Sequence, residues 1–139
     1  MLWQKLVVTL LALPILIAFS ASTSWAQDKV SLGEIKEFNP KEAVEKAVLD
    51  REKVGLLAFF MEPGQGIPSH DHLSDHIAIL MEGKVTLTVD GKKRALKAGD
   101  IQLVPKGAKA GIKNDGETRA VFLMVITKEE KAAHGKGMH

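Results

Sequence analysis

The sequence predicts an all-β domain, a sandwich or barrel of short strands, and three observations carry that expectation. From Val54 onward, short apolar runs are separated by Gly, Pro and Asp-Gly punctuation. One run, Val85-Thr86-Leu87-Thr88-Val89, alternates strictly and then meets Asp90-Gly91, the strongest short-range hairpin signal. The runs are brief and regularly spaced, with no low-complexity segment and no convincing internal repeat, as expected of a small all-β architecture.

In chain order, residues 1–26 have the three-part form of a secretory leader. Lys5 supplies the positive start, residues 6–19 are an apolar run broken only by Thr9 and Pro14, and Ser24 and Ala26 fit a small-x-small cleavage site before Gln27. As a helix, that run spans roughly 21 Å, short of the ~30 Å hydrocarbon core, so no stable membrane insertion is expected after cleavage. The leader implies a periplasmic or extracellular location. Residues 27–53 form an N-terminal strand or arm region. Within it, Asn39, Pro40 and Glu42 resemble a helix start, yet residues 43–49 read equally as a strand, and the all-β context favours the strand.

Residues 54–127 hold the expected barrel. Its apolar runs are Val54–Met61, residues 77–81, Val85 to Val89, Ile101–Val104 and residues 119–127. The turns are marked by Pro63-Gly64, Gly83, Asp90-Gly91, Pro105-Lys106-Gly107 and Asn114-Asp115-Gly116. Residues 128–139 read as a short C-terminal helix fraying into a Gly-rich tail.

Composition removes several function classes. The 139 residues include no cysteine, which excludes disulfides, a thiol nucleophile and thiolate metal ligands. Nineteen basic against seventeen acidic residues give a net charge of only +2, and aromatics are 5% with no Tyr. Neither feature points to a nucleic-acid partner. No phosphate-cradling Gly-rich loop and no Ser-centred nucleophile elbow occurs. Charge is uneven, however: residues 84–113 carry eight Lys/Arg against Asp90 and Asp100. Lysines on a solvated sheet edge that resist pairing with other chains account for this; a surface for anionic lipid or an acidic partner is the alternative.

Three of the five histidines fall within seven residues, in His70-Asp71-His72-Leu73-Ser74-Asp75-His76. On a strand, residues two apart share a face, so His70 and His72 present two imidazoles side by side. A tight turn at Leu73-Ser74-Asp75 returns His76 toward them. Three neutral imidazoles suit a divalent transition metal such as Zn, Fe, Mn, Cu or Ni. Asp71 and Asp75 alternate away as rim groups, and His134 and His139 lie in the tail.

The order of residues around the trio adds a family resemblance. The chain reads Gly64, five residues, His70-x-His72, three residues, His76, six residues, Gly83; then Gly99, five residues, Pro105-x-Gly107, six residues, Asn114. This resembles both motifs of the cupin superfamily, in order and in spacing. The resemblance implies a small antiparallel β-barrel, jelly-roll-like, with a metal site inside formed by His70, His72 and His76. Two departures stand out: His76 occupies the family's Glu position, and Ala110 occupies the second-motif His position. Three neutral ligands leave the full charge of the ion on the site and at least one position open, as in catalytic rather than closed structural centres.

The function expected from this reading is a metal-binding cupin acting on a small metal-chelating molecule, by oxygenation, isomerisation or lyase-type proton abstraction. Gln102 and Glu82 are the proton-handling candidates by position. A non-catalytic module capturing a small ligand or metal is the second reading. A metal-free partner of another envelope protein is the third. The family resemblance also implies a possible homodimer.

Overall fold

The computed structural model describes residues 29–129, so the leader and the expected C-terminal helix lie outside the described residues. The described chain has one helical turn and nine strands: α1 (Leu32–Ile35), β1 (Val44–Asp50), β2 (Val54–Met61), β3 (Gly66–Asp71), β4 (His76–Glu82), β5 (Lys84–Val89), β6 (Lys92–Lys97), β7 (Ile101–Val104), β8 (Lys109–Lys113) and β9 (Ala120–Thr127). All strand pairs are antiparallel. They form a five-stranded sheet, β1-β2-β9-β4-β7, facing a four-stranded sheet, β3-β8-β5-β6.

The all-β expectation holds, with one correction: the sheets are not closed into a barrel. No ladder joins the two sheets, so among the described strands β1 and β7 remain edges of one and β3 and β6 edges of the other. What holds the layers together is the core between them. Phe59, Leu80, Leu87, Ile112 and Phe122 are buried there, and Phe59 stacks on its cross-strand partner Phe122 at 4.4 Å and 3°. An aromatic pair of this kind contributes about 0.5–1.5 kcal/mol beyond its area.

The ambiguous N-terminal segment contains the strand β1, paired to β2 from Val44↔Phe60 to Asp50↔Gly55. Asn39 makes no helix there; its Oδ1 accepts from Lys41 N. Ahead of β1, residues 32–38 cross the outer face of the five-stranded sheet. Leu32, Ile35 and Phe38 pack with Val44, Val48 and Leu123 around the buried Ala58, Phe60 and Val121. Phe38 meets Phe60 edge-on at 5.7 Å, and Arg119 lies 4.4 Å over the Phe38 ring. The strand β2 is apolar along its whole length because it is covered on both faces.

The Asp90-Gly91 hairpin forms as its sequence predicts, with positive φ at both residues (48° and 78°) joining β5 to β6. Asn114, fully buried, is a clamp: its Nδ2 donates to Met61 O and Thr118 O, and its Oδ1 accepts from Gly116 N. It ties the β8–β9 loop to the end of β2.

Candidate metal and ligand site

The histidine strand owes its facing to an irregularity. In the β3–β8 ladder, Ile67 pairs with Ile112, but the next registered pair is His70 with Ala110. Three steps on β3 match two on β8, so one extra residue is inserted around Pro68-Ser69. A one-residue slip exchanges the faces of a strand. Ile67 and His70 therefore share the cavity side of the sheet, where His70 stays exposed, whereas strict alternation from Ile67 would have turned His70 to the opposite side. Proline, with no N–H to place in a ladder, suits the bulge, and Gly111 makes room opposite. A Cβ on Gly111 would stand 2.6 Å from Ser69 N.

His72 lies just past the end of β3 and is 4% exposed. Its backbone is held from both sides, donating to Ala108 O and accepting from Gly107 N. The chain then bends through Leu73 and Ser74, and His76 opens β4 half-buried. Asp75 fixes the bend: its carboxylate accepts from Lys106 N, and its carbonyl accepts from Thr127 N and Oγ1. The rings of His70 and His72 stack at 4.4 Å and 28°, and His76 meets His72 edge-on at 4.6 Å and 84°.

All three rings line one cavity of about 110 Å³ between the sheets, with Leu57, Phe59, Ile67, Leu87, Val104, Ala110, Ile112, Met124 and Ile126 forming its apolar wall. The space suits several waters or a compact ligand. Glu45, on β1 opposite Phe59 in register, supplies a carboxylate to the same lining. The sequence-based candidates for proton handling are elsewhere. Glu82 pairs with Lys36 at 2.6 Å, Gln102 donates to Leu103 O, and neither lines the cavity. Asp71 and Asp75 do not line it either. His134 and His139 lie outside the described residues.

Donor chemistry decides whether a divalent ion fits here. Nδ1 of His70 contacts Pro68 O and Nδ1 of His72 contacts His70 O, both at 3.0 Å. A carbonyl only accepts, so each Nδ1 carries a proton, and in the neutral ring Nε2 is then the nitrogen that can bind a metal. His76 is held below the ordinary imidazole value by burial first and then by His72 and His70, with Asp75 pulling the other way. At neutral pH it is a neutral donor. Rings ligating one ion tetrahedrally stand ~5 Å apart by centroid, close to the spacings observed. The rings are adjacent but not converged: among the described residues, no three His, Asp or Glu groups stand in a metal-holding arrangement as the side chains are set. The Nδ1 contacts and the ring spacing suit a transition ion.

The Cupin domain family model matches residues 58–126. The chain belongs to the cupin superfamily. A cupin, it is similar over 77 residues to the endoribonuclease YbeY of Myxococcus xanthus at 27% identity, covering 55% of this chain and 26% of that protein. Over 65 residues it is 35% identical to a gentisate 1,2-dioxygenase of Ralstonia, covering 46% of this chain and 18% of that protein. The chain thus spans about a quarter or less of the curated relatives it matches. A solved structure from Thermus thermophilus superposes with a TM-score of 0.69 at 24% identity, covering 73% of this chain and 98% of that one. This likeness supports the fold. Among the described residues, no helix is long and apolar enough to cross a membrane.

Proposed function

We propose that this cupin holds one divalent transition metal on His70, His72 and His76 and presents it to a small metal-chelating ligand in the periplasm or outside the cell. The observation that carries the reading is the pair of backbone-anchored rings whose Nε2 atoms are left free beside a neutral third imidazole. A bound ion would supply Lewis acidity and open coordination positions to the ligand. The rest of the work falls to the chain. The apolar wall suits a compact, largely apolar ligand, and Glu45 is the carboxylate placed to accept a proton from it.

The gentisate 1,2-dioxygenase relative supports ring-type hydroxyacids as ligands to test first, with oxygenation as the reaction. A non-catalytic module for the same ligands is the second reading, favoured by the exposure of Glu45 and the absence of a second carboxylate in the lining. A second copy of the chain over the exposed Ile101 and Leu103 of β7 would give the homodimer.

The test is reconstitution of residues 27–139 with Fe(II), Mn(II), Co(II) or Zn(II), followed by titration with hydroxybenzoates. Ligand-dependent changes in the Co(II) absorption support the shared metal–ligand site, and accompanying oxygen uptake by the Fe(II) form selects the enzyme over the module. No spectral change with any ligand would overturn both.

A further inference from the structure

The outer face of the four-stranded sheet is built differently from the rest of the described surface. Val85, Leu87, Ala110, Ile112 and Leu96 face the core, so alternation turns Lys84, Thr86 and Thr88 of β5, Lys109, Gly111 and Lys113 of β8, and Lys93 and Lys97 of β6 outward. The register sets Thr86 beside Lys113, and Thr88 between Gly111 and Lys93. Two lysine rows, on β8 and β6, thus flank the hydroxyls of β5. They stand ~10 Å apart across two strand spacings, with lysines ~14 Å apart along each row.

None of these five lysines is in an ion pair among the described residues. Elsewhere Lys36, Lys46, Lys106, Lys128 and Arg119 each hold a carboxylate. A cleft of about 350 Å³ crosses this face from Gly66 and Ser69 of β3, over Gly111 of β8, to Thr86 and Thr88 of β5, and of the five lysines Lys93 and Lys113 line it. Ser69, Thr88, Lys93 and Lys113 line it with donors, while Thr86 gives its hydroxyl proton to Asp115, the one carboxylate of the lining, at 2.5 Å. Of the other acids beside these lysines, Asp71 stands across from Lys109 at the sheet's end, Asp90 accepts from Lys109 N and Asp100 accepts from Lys97 N.

We propose that this cleft binds a linear phosphate polymer held between Lys113 of β8 and Lys93 of β6. The lining offers hydrogen-bond donors and positive charge. Nucleic-acid bases would need aromatic platforms, and the cleft is lined by no aromatic residue. A chain of phosphates, whose units present only acceptors and negative charge, matches both requirements. The cleft adjoins the histidine cavity through Ile67, Gly111 and Ile112, but no histidine lines it.

The experiment measures anisotropy of end-labelled inorganic polyphosphate with residues 27–139, from about 50 to about 200 mM salt. The native protein is expected to bind with steep salt dependence, and Lys93→Gln/Lys113→Gln to bind roughly tenfold more weakly. Lys46→Gln/Lys128→Gln, which removes equal charge from paired lysines elsewhere, is expected to leave binding within about twofold. Equal loss in both double variants, or no binding at the lower salt, would overturn the proposal. Tighter binding to unstructured RNA or to phosphatidylglycerol vesicles than to polyphosphate would overturn it too.

Discussion

His70 stands directly opposite Ala110 across the β3–β8 ladder, and one extra residue in β3 puts it there. Ala110 occupies the position where the cupin second motif carries a histidine, and its methyl group is buried against the same cavity. An imidazole at that position would face His70 across neighbouring strands, where directly opposed side chains lie within contact.

Ala110→His is therefore expected to add a fourth nitrogen donor and tighten metal binding by roughly tenfold or more, ~1.4 kcal/mol for each factor of ten. Competition against a chromophoric chelator checks this. The larger side chain overfills a packed site, so thermal stability without metal should fall by about 1–3 kcal/mol.

The bulge itself is open to test at Gly111. Its missing side chain lets Ser69 N and Ile67 O approach to 2.6 and 2.8 Å of where a Cβ would stand. Gly111→Ala must push β3 away, at a cost of about 2–3 kcal/mol. Melting should shift down by roughly 10–20 °C for a domain this size, and metal affinity should fall with it as His70 loses its facing.

Much of this was legible beforehand, and the gaps have physical causes. The strands β2, β4, β5, β7 and β9 announce themselves through apolar content, and the Asp90-Gly91 turn through its residues. The strands β3, β6 and β8 carry few apolar residues, so their sequences are dominated by lysines, Pro, Gly and His. The grouping of His70, His72 and His76 was visible from spacing, but the reason for it was not. Simple alternation places His70 and His72 together without saying which way they face, and that direction depends on a bulge at Pro68-Ser69. Glu45 is not legible as a cavity residue because β1 turns its more apolar face to the strap. Val44 and Val48 look like the core side of the strand, yet they pack under Phe38 on the outer face and leave Glu45 inward. The open sheets follow from edge strands that no motif describes.

Stability should depend on pH through His76. Its folded value lies below the ordinary 6.5, because burial and then His72 and His70 disfavour the charged ring. The unfolded chain thus binds the proton more readily, and stability rises with pH across that window. The contribution is complete above about 6.5 and is lost as pH falls through the unfolded value toward the folded one. Denaturant midpoints at pH 5 and 7.5 should differ in that direction, and His76→Asn should flatten the difference.

The strap before β1 is expected to stabilise the sheet without touching the cavity. Phe38→Ala removes the edge contact with Phe60 and the face beneath Arg119. A half-buried Phe lost in this way should cost about 2 kcal/mol in chemical denaturation, while metal affinity stays unchanged.

The most direct measurement is elemental analysis of residues 27–139 after reconstitution and desalting, for the native chain and for His72→Ala, His76→Ala and Glu45→Gln. The account predicts about one transition-metal ion per native chain, near-complete loss in both histidine variants, and retention in Glu45→Gln. Equal metal content in the native chain and the two histidine variants would contradict it.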